Sequence, residues 1–383
     1  MPQNVRPASS RSPWLAVPLL LALSLSAARA YTPLTVEDIY SNPALRGVQV
    51  QNPFWSADGR ELIFQTTDPE TRHRVYLAAD PASGRTRLLL DPETVKAKFS
   101  SLAALTQKSG DPAESPADFQ FSPDGRRVLF LYKGDIYEYE LLNGALTRRT
   151  YSPETETAVR YSPDGKKISF VRDFNVYVIL PDDGKEIPLT SDGQKDRTYG
   201  VVDWVIEEEL DLRQGYWWSP DSRFLAILRL DESHVPEYPI LDWMPLHPSP
   251  QLQKYPKAGD PNPVAALFFY SFTDKGLRQL PVGGLPDQYI PRVAWTPDSL
   301  YLMVQVLNRP QNLLQLVRVM PEAEDFQVIL EERDPCFVNV HDLFYAFRSR
   351  PEFIWGSERD GHMHLYRYKL DGTLVQRLTQ GPW

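Results

Sequence analysis

Three consecutive glutamates, Glu207, Glu208 and Glu209, are the residues whose type and spacing could do the most specific chemistry in this 383-residue chain. They lie in Asp203-Trp204-Val205-Ile206-Glu207-Glu208-Glu209-Leu210-Asp211, with Gln214-Gly215-Tyr216-Trp217-Trp218 following. The apolar triplet before them and the aromatic triplet after them are expected to anchor the segment, so that the carboxylates are held in place. Two adjacent carboxylates can share one primary ammonium, which brings three donors and a compact charge, through charge-assisted hydrogen bonds. In a cavity of lowered dielectric that would be a selective anchor. On composition alone a plainer reading stands beside it: a solvated acidic run at a helix start, where the helix dipole favours carboxylates.

Other chemistry is sparse. No Gly-x-Ser-x-Gly nucleophile elbow occurs, and the six histidines, His73, His234, His247, His341, His362 and His364, have no serine or cysteine partner in a recognisable setting. His362 and His364 would share one face of a strand, but two ligands do not make a metal site. There is no P-loop, no dinucleotide-binding glycine pattern and no Cys-x-x-Cys, and Cys336 is the sole cysteine. The sequence therefore predicts no catalytic residue, no metal and no cofactor. The formal charge of −9 argues against a nucleic-acid partner, which requires clustered basic residues.

The elements that must position the glutamates are strands. Thirty-five prolines spread along the chain argue against long helices, and 12% aromatic residues suit strands. A phrase consisting of an aromatic, Ser or Thr, usually Pro, Asp and a small residue, followed by a β-rich run, recurs five times. It occurs at Trp55-Ser56, Phe121-Ser122, Tyr161-Ser162, Trp218-Ser219 and Trp295-Thr296. Pro-Asp-Gly is turn chemistry, so each phrase starts a hairpin. A second hairpin usually follows, as in GDIYEYELLNGALTRRT and HMHLYRYKLDGTLVQRLT. Two hairpins make a four-stranded antiparallel unit, one propeller blade. The steps between the Ser or Thr positions are 66, 40, 57 and 77 residues, so the shortest is a bare blade and the others are blades that carry insertions or blades that lack the full phrase. The expected fold is all-β, a propeller of about six blades whose ring is incomplete. The one helix expected with assurance opens with a capping box at Thr35-Val36-Glu37-Asp38 and runs through Tyr40.

Residues 1–30 read apart from that fold. Arg6 and Arg11, an apolar run of about 14 residues and Ala28-Arg29-Ala30 make a cleavable signal peptide, too short to span a bilayer. Export to the periplasm, or secretion, is the expectation, with residues 31–383 forming the propeller.

The segment DWVIEEELDLRQGYWWSPDS resembles the glutamate motif of the dipeptidyl peptidase IV family, the serine peptidases of family S9. YPKAGDPNP, YIPRVAWTPDS, LNRPQNLLQLV and VNVHDLFYAF are similar to that family too, notably to its bacterial members and to dipeptidyl peptidases 8 and 9. The resemblance implies an eight-bladed propeller capping an α/β-hydrolase domain. It implies a short helix carrying a glutamate pair that binds the substrate's free N-terminus, so that dipeptides are released. The pair corresponds to Glu208 and Glu209, with Glu207 outside it. The resemblance also implies a propeller arginine on a substrate carbonyl, for which Arg148 and Arg149 are the candidates, and gives Asn339-Val340-His341-Asp342 a place near the cavity or, equally, as a structural turn. The catalytic Ser, Asp and His belong to a domain outside this chain, which would be inactive alone and looks truncated; full-length members are often homodimers. The alternative function is a non-catalytic, TolB-like periplasmic binding propeller, because such propellers share the Ser-Pro-Asp-Gly repeat.

Overall fold

Each of the five repeat phrases folds by the same local hydrogen bonds in the computed structural model, which describes residues 34–41, 49–56, 58–102 and 117–383. In the second, Ser122 Oγ donates to Asp124 Oδ1 (2.5 Å) and accepts from Arg127 N (2.9 Å), while Asp124 Oδ1 accepts from Arg126 N (3.1 Å). Ser56, Ser162, Ser219 and Thr296 repeat the pattern with Asp58, Asp164, Asp221 and Asp298. The hydroxyl bridges the two sides of the turn and the carboxylate ties down the N–H groups inside it, which is why the phrase needs those residue types.

Each turn joins the first two strands of an antiparallel meander. Six such sheets follow in chain order. The first comprises Gln51–Trp55, Leu62–Thr67, Arg74–Ala79 and Thr86–Leu90. The second comprises Ala117–Phe121, Arg127–Tyr132, Asp135–Glu140 and Leu146–Arg148, and the third Glu156–Tyr161, Ile168–Arg172, Asn175–Leu180 and Lys185–Pro188. The fourth is built on Phe224–Asp231, Val264–Ser271 and Gly276–Gln279 behind a divided first strand. The fifth comprises Gln288–Trp295, Leu302–Asn308, Leu313–Met320 and Asp325–Arg333, and the sixth Phe344–Ala346, Glu352–Ser357, His364–Lys369 and Leu374–Arg377. The fold is all-β, with blades of the β-propeller type.

Consecutive blades pack face to face, so their middle strands are buried on both sides. In the fourth blade Leu225 and Ile227 join a core with Val171, Val176 and Val178 of the third. The alternate residues Phe224, Ala226, Leu228 and Leu230 face Val304, Val306 and Leu316 of the fifth. Turn residues add polar stitches. Ser222 Oγ accepts from Asp164 N (3.0 Å) of the preceding blade, and Ser299 Oγ accepts from Asp221 N (3.1 Å). Both serines stand where other repeats have glycine, at φ of 62° and 63°, so the interblade bond offsets a left-handed backbone. The sixth blade turns at Phe347-Arg348-Ser349-Arg350-Pro351 without the repeat phrase.

Three helices accompany the strands among the described residues. The first, α1 (Val36–Ile39), has the expected capping box, Thr35 Oγ1 accepting from Asp38 N (3.1 Å) and Asp38 Oδ2 from Thr35 N (3.0 Å). It lies in a separate unit, residues 1–49, from the blades, residues 50–383. The second, α2 (Pro92–Leu102), was not foreseen; Val95 and Phe99 bury against Phe130 and Tyr137 of the second blade. The third, α3 (Trp204–Glu208), carries the glutamates. Residues 1–30 lie outside the described residues. No helix among those described is long and apolar enough to cross a membrane.

Candidate functional site

The glutamate segment is an excursion from the first strand of the fourth blade. Arg197–Tyr199 pairs with Arg229–Asp231, and Tyr216–Trp218 pairs with Leu225–Ile227 of the same neighbouring strand. Between them Gly200 and Gly215 close the neck, bridged to one another: Gly200 N donates to Leu228 O (2.9 Å) and Leu228 N donates to Gly215 O (2.8 Å). Only glycine fits this neck. A Cβ on Gly215 would lie 2.2 Å from the Gly200 carbonyl carbon, and Gly200 has φ of +77°.

Within the excursion Asp203 is the N-cap of α3, accepting from Val205 N (3.2 Å) and Ile206 N (3.3 Å). Val205, Ile206, Leu210 and Leu212 are buried, as the apolar flanks predicted. Burying aliphatic side chains is worth roughly 1.5–3 kcal/mol each, which makes the excursion a fixed part of the blade. Glu208 is the last residue of α3 and Glu209 its C-cap, and both are exposed. Glu207 lies in the first turn of this five-residue helix and Glu208 and Glu209 at its end, all three reached by solvent, as the plainer reading of a solvated run also expects. At that end the dipole disfavours carboxylates by about 0.3–1 kcal/mol each, and no basic residue stands in the last turn. The buried aliphatics outweigh that cost several-fold. Glu207 is paired with Arg213 (3.2 Å), whereas Glu208 and Glu209 have no side-chain partner among the described residues.

Two of the phrases scattered along the sequence touch the glutamate segment, and the others interlock with those two. Trp204 packs on Tyr255 of YPKAG, ring centroids 4.4 Å apart. Asn262 Nδ2 donates to the hydroxyl of Tyr289 (2.6 Å) of YIPRV. Arg309, from LNRPQ, donates to Asp260 O (2.5 Å) and pairs with Asp287 (3.1 Å). Arg292 donates through Nη1 to Leu210 O (2.6 Å) and through Nε to Asp342 Oδ1 (2.5 Å) of the VNVHD phrase.

The other sequence candidates are engaged within the protein. Arg148 pairs with buried Asp135 (2.6 Å). Arg149 bonds buried Glu138, which also takes Arg127 (3.1 Å) and the Tyr161 hydroxyl (2.6 Å). Asn339 Nδ2 donates to Glu358 Oε2 (2.6 Å), and His341 Nδ1 accepts from Leu343 N (3.2 Å), as a structural turn requires. Burial holds the His341 imidazole below its usual pKa. These residues border a cleft of about 220 Å³ lined also by Glu332, Arg333 and Arg359. His364 is buried, with Nδ1 near Thr379 Oγ1 (3.2 Å) and Nε2 near Gly381 O (3.0 Å).

Sequence reasoning missed Arg292 and the glycine neck. Arg292 was visible as a lone charge in the run Tyr289-Ile290-Pro291-Arg292-Val293-Ala294-Trp295, and Gly200 and Gly215 as the glycines flanking the acidic segment. Glu232 is half-buried near Asp203, the N-cap of α3, and Asp196; burial first, then the two carboxylates, push it up to about 7 against the opposing charge of Lys254.

Comparison with known proteins gives this arrangement a lineage. The N-terminal region of dipeptidyl peptidase IV matches residues 139–383, more than half of the chain. A dipeptidyl-aminopeptidase B of Aspergillus terreus is 30% identical over 374 residues, covering 85% of this chain and 38% of the relative. A dipeptidyl-aminopeptidase B of Aspergillus niger is 29% identical over 260 residues, 58% of this chain and 28% of the relative. The crystal structure of Porphyromonas gingivalis dipeptidyl peptidase 4 superposes with a TM-score of 0.74 at 27% identity, over 92% of this chain and 50% of that one. The chain thus spans half or less of the length of these relatives. With the matched region containing α3, its glycine neck and the phrases gathered around it, the chain belongs to the dipeptidyl peptidase IV family and carries that family's N-terminal propeller region.

Proposed function

We propose that this chain is the substrate-gating, N-terminus-recognising propeller of an exported dipeptidyl peptidase, and that Glu208 and Glu209 seat the substrate's free ammonium. The observation that carries the reading is electrostatic. Two adjacent carboxylates stand at the negative end of a helix, unneutralised by any described neighbour, on a segment anchored by buried Ile206, Leu210 and Leu212. A cation brought there offsets the unfavourable dipole, and an ammonium has the donors to serve two carboxylates. Glu207 is already paired with Arg213, which supports reading the seat as Glu208 and Glu209 alone. A hydrolase domain outside this chain would supply the catalytic serine, and the peptide's amine, fixed here, would set how many residues reach it.

The test is kinetic. In the enzyme containing this propeller, Glu208→Gln and Glu209→Gln are each expected to lower kcat/KM for release of a dipeptide by at least tenfold. Wild-type rates in both variants would overturn the reading.

Export through cleavage of residues 1–30 is part of the same proposal, checked by N-terminal sequencing of the secreted product: a start at Tyr31 is expected. Homodimerisation is the other part. The hairpin Glu237–Asp242/Ser249–Lys254 projects from the fourth blade, and its tip exposes Trp243, Met244 and Leu246, the last two more than nine-tenths. An apolar tip of that kind is suited to burial against another protein surface.

A further inference from the structure

The geometry points to Arg292 as the positioning residue of the ammonium seat: its guanidinium clamps the backbone just beyond Glu209 to the loop bearing Asp342, and so sets where the glutamate pair presents its charge. This rests on the reading that Glu208 and Glu209 bind an amine.

Three bonds define the clamp. Arg292 Nη1 donates to the carbonyl of Leu210 (2.6 Å) and to that of Pro291 (2.7 Å), and Nε donates to Asp342 Oδ1 (2.5 Å). The side chain is largely buried, whereas Asp342 is largely exposed. Leu210 is the residue after the pair, and its carbonyl lies beyond the last turn of a one-turn helix. Without Arg292, that end of the excursion would rest only on the packing of Leu210 and Leu212 and on the bonds from Glu209 N to Val205 O (3.0 Å) and Leu212 N to Ile206 O (3.1 Å), which would then open more often. Packing fixes the depth of a chain segment more tightly than its rotation. A bonded carbonyl fixes rotation, and rotation decides where two neighbouring side chains point.

The charge balance favours a positioning role over direct binding. Arg292 spends its fork on two carbonyls and one carboxylate. Its charge is matched by Asp342, which leaves Glu208 and Glu209 to the ligand. Arginine suits the task because one planar group reaches acceptors on two chain segments; lysine, a single point donor, would hold one of them at a time. The clamp also joins the excursion of the fourth blade to the connection between the fifth and sixth, so interblade packing is coupled to the seat.

The test uses the enzyme that contains this propeller, its nucleophilic serine replaced by alanine so that the probes are not consumed, with two probes, alanyl-prolinamide and its N-acetyl derivative, whose binding is followed calorimetrically, together with amide hydrogen exchange at Glu209 and Leu212. Wild type is expected to bind the free amine at least tenfold more tightly than the acetylated probe, and Glu208→Gln to abolish that preference. Arg292→Gln is expected to cut the preference about tenfold without altering binding of the acetylated probe, and to speed exchange at Glu209 and Leu212. Arg292→Lys should recover part of the preference. If Glu208→Gln abolishes the preference while Arg292→Gln leaves it intact, or if exchange is unchanged in Arg292→Gln, the positioning role is wrong and the amine seat stands. If wild type shows no preference, or Glu208→Gln keeps it, the amine seat fails; faster exchange in Arg292→Gln then still identifies the clamp, and unchanged exchange removes that as well.

Discussion

At the scale of single residues, the chain separates carboxylates that serve the fold from carboxylates left available. Glu138 and Asp135 are buried and matched by arginines, and Glu207 is paired at the surface. Glu208 and Glu209 are matched by nothing described, so replacing either with glutamine should cost ligand binding while leaving stability the same or slightly higher, by up to about 1 kcal/mol, because a charge disfavoured by the helix end is removed. Thermal unfolding beside the kinetic test would check this. Glu232 makes a prediction of its own. With its native value near 7 and its ordinary value at 4.5, the native chain keeps a proton that the unfolded chain has released. Its contribution to stability is therefore full below about pH 4.5 and is lost as pH rises through 7. Glu232→Gln should raise stability at pH 8 by on the order of 1–3 kcal/mol and change it little at pH 5. Urea midpoints at the two pH values would measure it.

At the scale of elements, the neck and the interblade stitches are the parts a single substitution can break. Gly215→Ala puts a methyl group against the Gly200 backbone, which cannot give way as a side-chain tip can. The excursion must move, and both a lower melting temperature and loss of free-amine preference are expected, measured by calorimetry on the purified variant. Ser222 offers a graded test. Ser222→Ala keeps the left-handed backbone cost and loses the bond to Asp164 N, for about 1 kcal/mol of destabilisation. Ser222→Gly loses the bond but relieves the backbone, so it should be the milder of the two. An order of alanine above glycine in stability would contradict this account of the turn.

At the scale of the whole molecule, stability is distributed among faces between blades, and pH acts on all of them together. Burial pushes the carboxyls of Asp124, Asp164 and Asp221 up, but a serine hydroxyl, a backbone N–H and a nearby Lys or Arg together hold them below the ordinary value. A lowered native value means the stabilisation is present above the unfolded value, near 3.8, and is lost as pH falls through the native one. Acid unfolding should therefore set in below about pH 4 and be blunted in an Asp164→Asn variant, as followed by far-ultraviolet circular dichroism. Association is the other whole-molecule property. In the protein that carries this propeller, Trp243→Glu with Met244→Glu should shift sedimentation toward the monomer if the projecting hairpin is a subunit contact, and leave it unchanged if it is not.

The repeat turns, the blade hairpins, the first helix cap and the acidic segment were legible in the sequence because each is local: the residues that make the bonds lie within about six positions of one another. The sixth blade was legible from its outer hairpin alone, since its turn lacks Ser-Pro-Asp and closes through backbone groups that any residue supplies. The helix Pro92–Leu102 was missed because its stability comes from Val95 and Phe99 packing on a different blade. Tertiary structure alone decided that Glu208 and Glu209 sit at the end of a helix, that the helix leaves its strand through Gly200 and Gly215, and that Arg292 joins segments 82 and 50 residues away in the chain. Those facts depend on which distant backbone groups are brought within hydrogen-bonding reach, and that is settled only when the blades stack.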